Sequence, residues 1–430
     1  MTSEEWKVAT IRDVVACLDA GASVLSEDRT KRQGEIGVLK VSAVSYGRFI
    51  PEAHKAVVEA SQIARLAVIP QQDTLLVSRA NTFDLVGASV YVTEDYPDLF
   101  LSDKLWRIRT ANNCDARWLS YVLSTGRVRA NISERATGTS GSMKNISQEA
   151  FFDVKIPLPP LPEQRKIAEI LGTWDAAIER VTRLIAALQR RKQGLMQRLL
   201  VPHKADGQPE VRLPGFAASW RIARFDEVFA RVTRKNSVGN KTVLTASGQH
   251  GLISQTDYFN RNVASESLDG YYLLHRGEFA YNRSSMNGYP YGAIKQLEAY
   301  EAGVLSTLYL CFGLFAEACT PRFYKHFFEA GGMNRGIYSI AQEGARNHGL
   351  LNVGVSEFFG LSVPVPSLDE QQRLADLFDV VEQEIDKTIA YRAALRQQKQ
   401  GLMQRLLTGQ VRVPVATTAN AHASGANQAG

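Results

Sequence analysis

The chain has 430 residues, 45% of them hydrophobic and 22% charged, a composition of about two to four folded domains and not of a disordered or collagen-like polymer. Lys plus Arg number 50 against 44 Asp plus Glu, and this net +6 permits a polyanionic partner without requiring one. The four cysteines (Cys17, Cys114, Cys311, Cys319) form no CxxC pair, which argues against a disulfide framework or a zinc site and suits a reducing cytosol.

The opening MTSEEWKVATIRD is acidic and amphipathic, unlike a secretory signal, and no apolar run is long enough to span a bilayer. Residues 1–156 lack sustained helical periodicity. Short β-rich runs are predicted at Thr74–Ser78 and Ala88–Thr93, and a short helix at Ala116–Ser124. Residues 157–205 carry a long helix. Ile167, Leu171, Trp174, Ile178, Val181, Ile185 and Leu188 are spaced alternately by 4 and 3, as in a coiled-coil seam. Pro162 suits its first turn, and its acidic residues all lie at or before Glu179 with most basic ones after, matching the helix dipole. Val201–Trp220, rich in Pro and Gly, reads as a linker.

Residues 206–363 again suggest a mixed domain, with β runs at Glu278–Tyr281 and Val304–Cys311 and a helix at Pro321–Glu329. Residues 364–410 form a second long helix. Leu374, Phe378, Val381, Ile385 and Leu395 lie on its seam, Thr388 and Arg392 interrupt it, and Ser367 to Glu370 reads as a capping box. Residues 411–430 are expected to be a disordered tail, uncharged from Ala416 onward.

The two long helices are copies. Over 157–200 against 364–407, 19 of 44 positions are identical without a gap, including KQGLMQRLL at Lys192–Leu200 and Lys399–Leu407. Phe151-Phe152 matches Phe358-Phe359 and Asn145 matches Asn352, whereas farther upstream the match fades and drifts in register. The chain is therefore a duplicated unit with one divergent and one similar part. The similar parts suggest two helices packed antiparallel about a pseudo-two-fold axis, the alternative being that each helix packs on its own globule. The fold class expected is α+β.

Catalytic motifs are scarce. There is no GxxxxGK[ST], HExxH, GxSxG or dinucleotide loop. Asp153-Val154-Lys155 has the D-x-K form of some nuclease sites, but its counterpart is Gly360-Leu361-Ser362. The seven histidines lack ligand spacing, so no metal site is expected. Polar loops recur at related places, and they suit phosphates and base edges as well as a plain surface. Arg79, Asn81 and Thr82 pair with Asn282, Arg283, Ser284 and Asn287; Arg135, Thr139, Ser140 and Lys144 pair with Arg346, Asn347 and His348. The two helices carry +4 and zero, leaving about +2 elsewhere, so DNA binding would rest on local patches.

PLPPLPEQRKIAEIL (Pro157–Leu171), PVPSLDEQQRLADLF (Pro364–Phe378), the repeated KQGLMQRLL and VRLPGFAASW (Val211–Trp220) resemble the DNA-specificity subunits of type I restriction-modification enzymes, over essentially residues 5–410. The resemblance implies two target-recognition domains, each reading one half of a split sequence in double-stranded DNA, with the helices setting the spacing. It implies two modification subunits that hold S-adenosylmethionine and methylate adenine, and two restriction subunits that use ATP and Mg, with no cofactor or catalysis on this chain. The competing expectations are a coiled-coil scaffold joining two protein-binding domains, and a nuclease using Asp153 and Lys155.

Overall fold

The structure, a computed structural model, describes residues 6–45, 47–138, 143–202, 207–248, 251–256, 267–286, 288–343 and 351–414. Contacts divide the chain into two compact units, Met1–Val181 with Tyr391–Gly430, and Thr182–Ala390. Each takes in part of both long helices, Leu161–Leu200 and Leu368–Leu406.

The first unit is built on a four-stranded antiparallel sheet in the order Val15–Ala20, Leu105–Thr110, Leu75–Ser78, Ser89–Tyr91. The second repeats it with Phe229–Arg231, Leu310–Leu314, Phe279–Asn282 and Ala293–Gln296. In each, a helix packs on the edge strand (Ala116–Ser124 or Pro321–Glu329), and the segment before the long helix pairs with the entry strand: Lys155–Leu158 with Lys7–Thr10, Ser362–Val365 with Arg221–Arg224. The α+β class with two similar units is what the sequence suggests. Leu75, Leu76, Val77 and Ser78 are all buried because Leu75 and Val77 face one core and Leu76 faces another. A strand covered on both faces reads as an unbroken apolar run. The run expected at Val304–Cys311 is instead two strands, Ala302–Leu305 and Leu310–Leu314. Ser306 breaks it, its carbonyl accepting the Tyr309 N–H and its hydroxyl the Leu308 N–H, a turn chemistry that competes with the strand.

Neither packing expected of the helices is complete by itself. In the first unit Ile167, Ala168 and Leu171, at the start of the first long helix, share a core with Leu406 and Leu407 at the end of the second. In the second unit Leu374 and Phe378 share a core with Met196, Leu199 and Leu200. Each globule thus holds the start of one helix and the end of the other, which run antiparallel. The seam is sealed at Ile185, Leu188, Ile385 and Leu395 and half-open at Trp174, Ile178, Val181 and Val381. The polar seam positions Lys192 and Lys399 have partners. Lys192 Nζ lies 2.5 Å from Glu382 and Lys399 Nζ 2.6 Å from Asp175, equivalent pairs under the 207-residue repeat. Tyr121 donates to Asp175 at 2.6 Å in the first unit.

The repeated Glu-Gln dipeptide anchors each helix start. Gln164 donates to the Asn113 and Pro159 carbonyls and accepts the Asp115 N–H; Gln371 does the same with Ala318, Pro366 and Thr320, all at 2.9–3.0 Å. Glu163, 3% exposed at its side chain, accepts from Trp6 Nε1 (3.1 Å) and from Arg412 (both 2.8 Å). Glu370, 2% exposed, accepts from Trp220 Nε1 (2.9 Å) and from Arg212 (2.8 and 2.7 Å). This explains a departure from the expected capping box: Ser367 accepts the Glu370 N–H at 3.3 Å, but the Glu370 carboxylate is committed to Arg212 and does not fold back. It also corrects the tail and the linker. Residues 411–414 are bound, with Val411 N–H on the Arg405 carbonyl and Val413 N–H on Glu163. Arg212 and the buried Gln208, which is bonded to Trp220, tie the linker down. Residues 415–430 lie outside the described residues.

Removing one partner of a buried, hydrogen-bonded ion pair strands the other, so Glu163→Ala and Glu370→Ala should each cost about 3 kcal/mol, near the low end for such pairs because the arginine keeps some water. Denaturant titration measures the loss. Burial raises the Glu163 pKa, but the bonds from Arg412, Val413 N–H and Trp6 prevail and leave it below the usual carboxylate range. A depressed folded pKa gives stability that is present above the unfolded value, about 4.3, and lost as pH falls through the folded one. Comparison of wild type with Glu163→Gln from pH 7 downward should show the wild type losing more stability below that point.

Candidate nucleic-acid interface

In the first unit the two polar segments singled out in sequence meet. Ala80 and Asn81 pair antiparallel with Asn145 and Lys144, and the Arg79 carbonyl accepts the Ile146 N–H at 3.0 Å. Thr137 and Asn145 exchange both backbone bonds at 2.8 Å, which brings Thr137 and Asn145 together beside Ala80–Asn81. Gly138 makes this closure possible. Its φ is +143°, and a Cβ there would lie 2.6 Å from the Met143 carbonyl oxygen, so only glycine fits.

The side chains are arranged by short local bonds. Asn81 accepts the Thr82 N–H at 2.9 Å and donates to Ser78 Oγ at 3.2 Å. Lys144 Nζ donates to the Gly138 carbonyl at 2.8 Å, and Arg135 Nε to Asn131 at 2.9 Å. The Arg79 guanidinium lies over the Trp106 ring, 5.9 Å from its centroid, and its buried Nε makes no hydrogen bond among the described residues. Thr139 and Ser140 lie outside the described residues.

The second unit repeats the arrangement. The Arg283 carbonyl accepts the Leu351 N–H at 3.0 Å. Gln342–Glu343 pairs antiparallel with Leu351–Asn352, and residues 344–350 lie outside the described residues. Arg346, Asn347 and His348, like Asn287, fall outside the described residues. Asn282 accepts the Ser284 N–H at 3.0 Å. The Arg283 guanidinium is largely committed to backbone, donating to the Leu308 carbonyl at 3.1 and 2.9 Å and more weakly to that of Val353 at 3.4 Å. Among the described residues none of Arg79, Arg135, Lys144 and Arg283 pairs with a carboxylate, whereas Arg12, Arg29, Arg107, Arg224, Arg234 and Arg322 all do. Cations without carboxylate partners beside amide and hydroxyl groups favour an anionic, hydrogen-bonding surface. Sequence reading passed over Phe83 and Leu308, which are 50% and 66% exposed next to these segments; a lone apolar residue in a polar loop is their only signal.

The other chemical candidates separate from this site. Asp153 is exposed and faces Arg12 at 3.3 Å, while Lys155 lies in the strand paired with Thr10. His326, Asp379 and Glu382 come close enough to share a metal ion, a grouping that chain spacing does not reveal. Its carboxylates already have partners: Arg322 pairs with Asp379, which also takes a hydrogen bond from the His326 imidazole, and Lys192 and Lys325 pair with Glu382. Burial holds the His326 imidazole below its usual pKa, helped by Lys325 and opposed by Glu382 and Asp379. The cluster is a packed ion network. No helix among the described residues is long and apolar enough to cross a membrane.

Residues 3–190 match the family model of the type I restriction modification DNA specificity domain. The chain is 28% identical over 210 residues to the EcoEI type I restriction enzyme specificity subunit of Escherichia coli, an alignment covering 48% of this chain and only 34% of that protein. It is 23% identical over 338 residues to the MjaVIII specificity subunit of Methanocaldococcus jannaschii, covering 73% and 74%. Its fold is shared with the type I restriction-modification S subunit of M. genitalium (TM-score 0.52, 13% identity, 95% and 97% of the two chains). A structure concerned with complex assembly and conformational transition of the type I R-M system gives 0.51 at 14% identity, covering 95% and 99%. Alongside the duplicated Glu-Gln helix starts and paired α+β units already described, the chain is thus similar in sequence, over these stretches, to type I restriction-modification specificity subunits and shares their fold.

Proposed function

We propose that this chain is the DNA-reading, non-catalytic subunit of a type I restriction-modification complex, each unit reading one half of a bipartite duplex target. The observation that carries this reading is the recurrence, in both units, of polar segments at matching places, in which the described cations Arg79, Arg135, Lys144 and Arg283 have no carboxylate partner among the described residues. Such groups position phosphates and read base edges. A scaffold for two protein-binding domains gives no reason for an arginine without a carboxylate partner among the described residues at the same place in both units, Arg79 and Arg283. Two modification subunits would dock on the long helices and hold S-adenosylmethionine, and two restriction subunits would supply ATP- and Mg-dependent cleavage. No cofactor is assigned to this chain. One reader alone sees too few bases. Two on a common support act as one long site because the second contact is intramolecular.

Three outcomes test this. Replacing residues 1–156 by the equivalent region of another specificity subunit should change one half of the methylated sequence and leave the other, as read by methylome sequencing; an unaltered motif refutes the reading. Inserting four residues after Ala187 and four after Ala394 spares both lysine–carboxylate pairs and lengthens the helices by ~6 Å. The same half-sites should then be methylated about two base pairs farther apart, at 3.4 Å per step. Arg135→Ala and Lys144→Ala should each weaken duplex binding by the reconstituted complex and lower the salt slope by about one.

A further inference from the structure

A buried charged node lies behind the loop of the second unit, on the edge strand Ala293–Gln296. Lys295 is 7% exposed. Its Nζ donates to Glu329 at 2.6 Å, to the Tyr289 hydroxyl at 2.7 Å and to the Gly248 carbonyl at 3.2 Å. The Tyr289 hydroxyl in turn donates to Glu329. Burial, with Glu329, raises the Tyr289 pKa, so this hydroxyl keeps its proton. All three donors of the ammonium group are used.

These contacts join three separate segments. Tyr289 exchanges backbone bonds with Met286 at 3.2 and 2.8 Å, bringing the chain after Ser284 back beside it. Gly292, at φ +77°, lets the returning chain pass the Asn282 carbonyl, which a Cβ would approach to 2.2 Å. Gly248 ends the strand Leu244–Ser247. Glu329 is the last residue of the helix Pro321–Glu329. The node therefore ties Tyr289, bonded to Met286 just after Asn282, Arg283 and Ser284, to the helix behind the sheet.

A lysine is an unexpected choice for stability alone. Lys295 faces Ala280 across the strands, and the equivalent position of the first unit, facing Leu76, is Val90, an ordinary core residue. A buried ion pair is commonly no more stabilising than apolar side chains of the same volume, so its gain lies in directional bonds.

We propose that Lys295, with Glu329 and Tyr289, is a positioning residue for DNA readout by the second unit: it sets the chain at Arg283, Ser284 and Tyr289 and touches no base itself. This rests on the DNA-reading function proposed above. The test uses the full chain assembled with its modification subunits, methylating the cognate duplex and duplexes with a single base changed in either half-site. Lys295→Met combined with Glu329→Met removes both charges together and leaves neither stranded. Tyr289→Phe removes only the hydroxyl and keeps the ion pair, so it carries the test if the double variant does not fold. The expected result is a loss of discrimination of about tenfold or more, the scale of one misplaced base contact, at the half-site assigned to the second unit. Discrimination at the other half-site and kcat on the cognate duplex should be unchanged. A folded variant that discriminates as well as wild type at both half-sites, or loses discrimination equally at both, overturns the proposal. A wild-type complex that discriminates at neither half-site overturns the DNA-reading function instead.

Discussion

A buried glutamate at the first turn of each long helix is the constraint on which the architecture turns. Glu163 and Glu370 are almost sealed from water, and an isolated carboxylate there would be untenable. Each is satisfied only when a tryptophan from the start of a globule and an arginine from the segment after the other long helix arrive together. The adjacent glutamine then fixes the helix to the loop ahead of the globule's helix and to the proline strand behind. One dipeptide so decides where a helix begins and which two other pieces of chain meet it.

Much of this was legible because the repeat is strong where packing is shared. The heptad seam, the start of each helix and the two short helices at Ala116–Ser124 and Pro321–Glu329 follow from periodicity and capping. What escaped is non-local. Val211-Arg212-Leu213-Pro214 recurs as Val411-Arg412-Val413-Pro414, a signal present in the sequence but displaced from the 207-residue register. It sat in stretches rich in glycine, proline and alanine that resemble linker and tail. The split of Val304–Cys311 escaped because β propensity outweighs a single serine until the turn is seen. The site was legible as a pairing of loops, but not which cations remain free: the use of Arg283 on the Leu308 carbonyl depends on a turn 25 residues away.

The two units illustrate how one backbone plan accepts different contents. Tyr121 in the first and His326 in the second stand on matching helices and reach carboxylates of the long helices, by a phenol in one and an imidazole within a larger ion network in the other. Val90 and Lys295 hold matching edge-strand positions. Sheet order and helix anchors stay constant while side chains near the loops change, the pattern expected when a frame is retained and its specificity altered.

The segment Val411–Pro414 has a consequence for how the molecule is made. Arg412 belongs to the unit whose sheet begins at the other end of the chain, and its guanidinium completes the Glu163 site. Translation therefore delivers this unit in two parts, with the whole of Thr182–Ala390 emerging between them. The buried Glu163 therefore has no counter-ion until Arg412, 249 positions later in the chain, has been added.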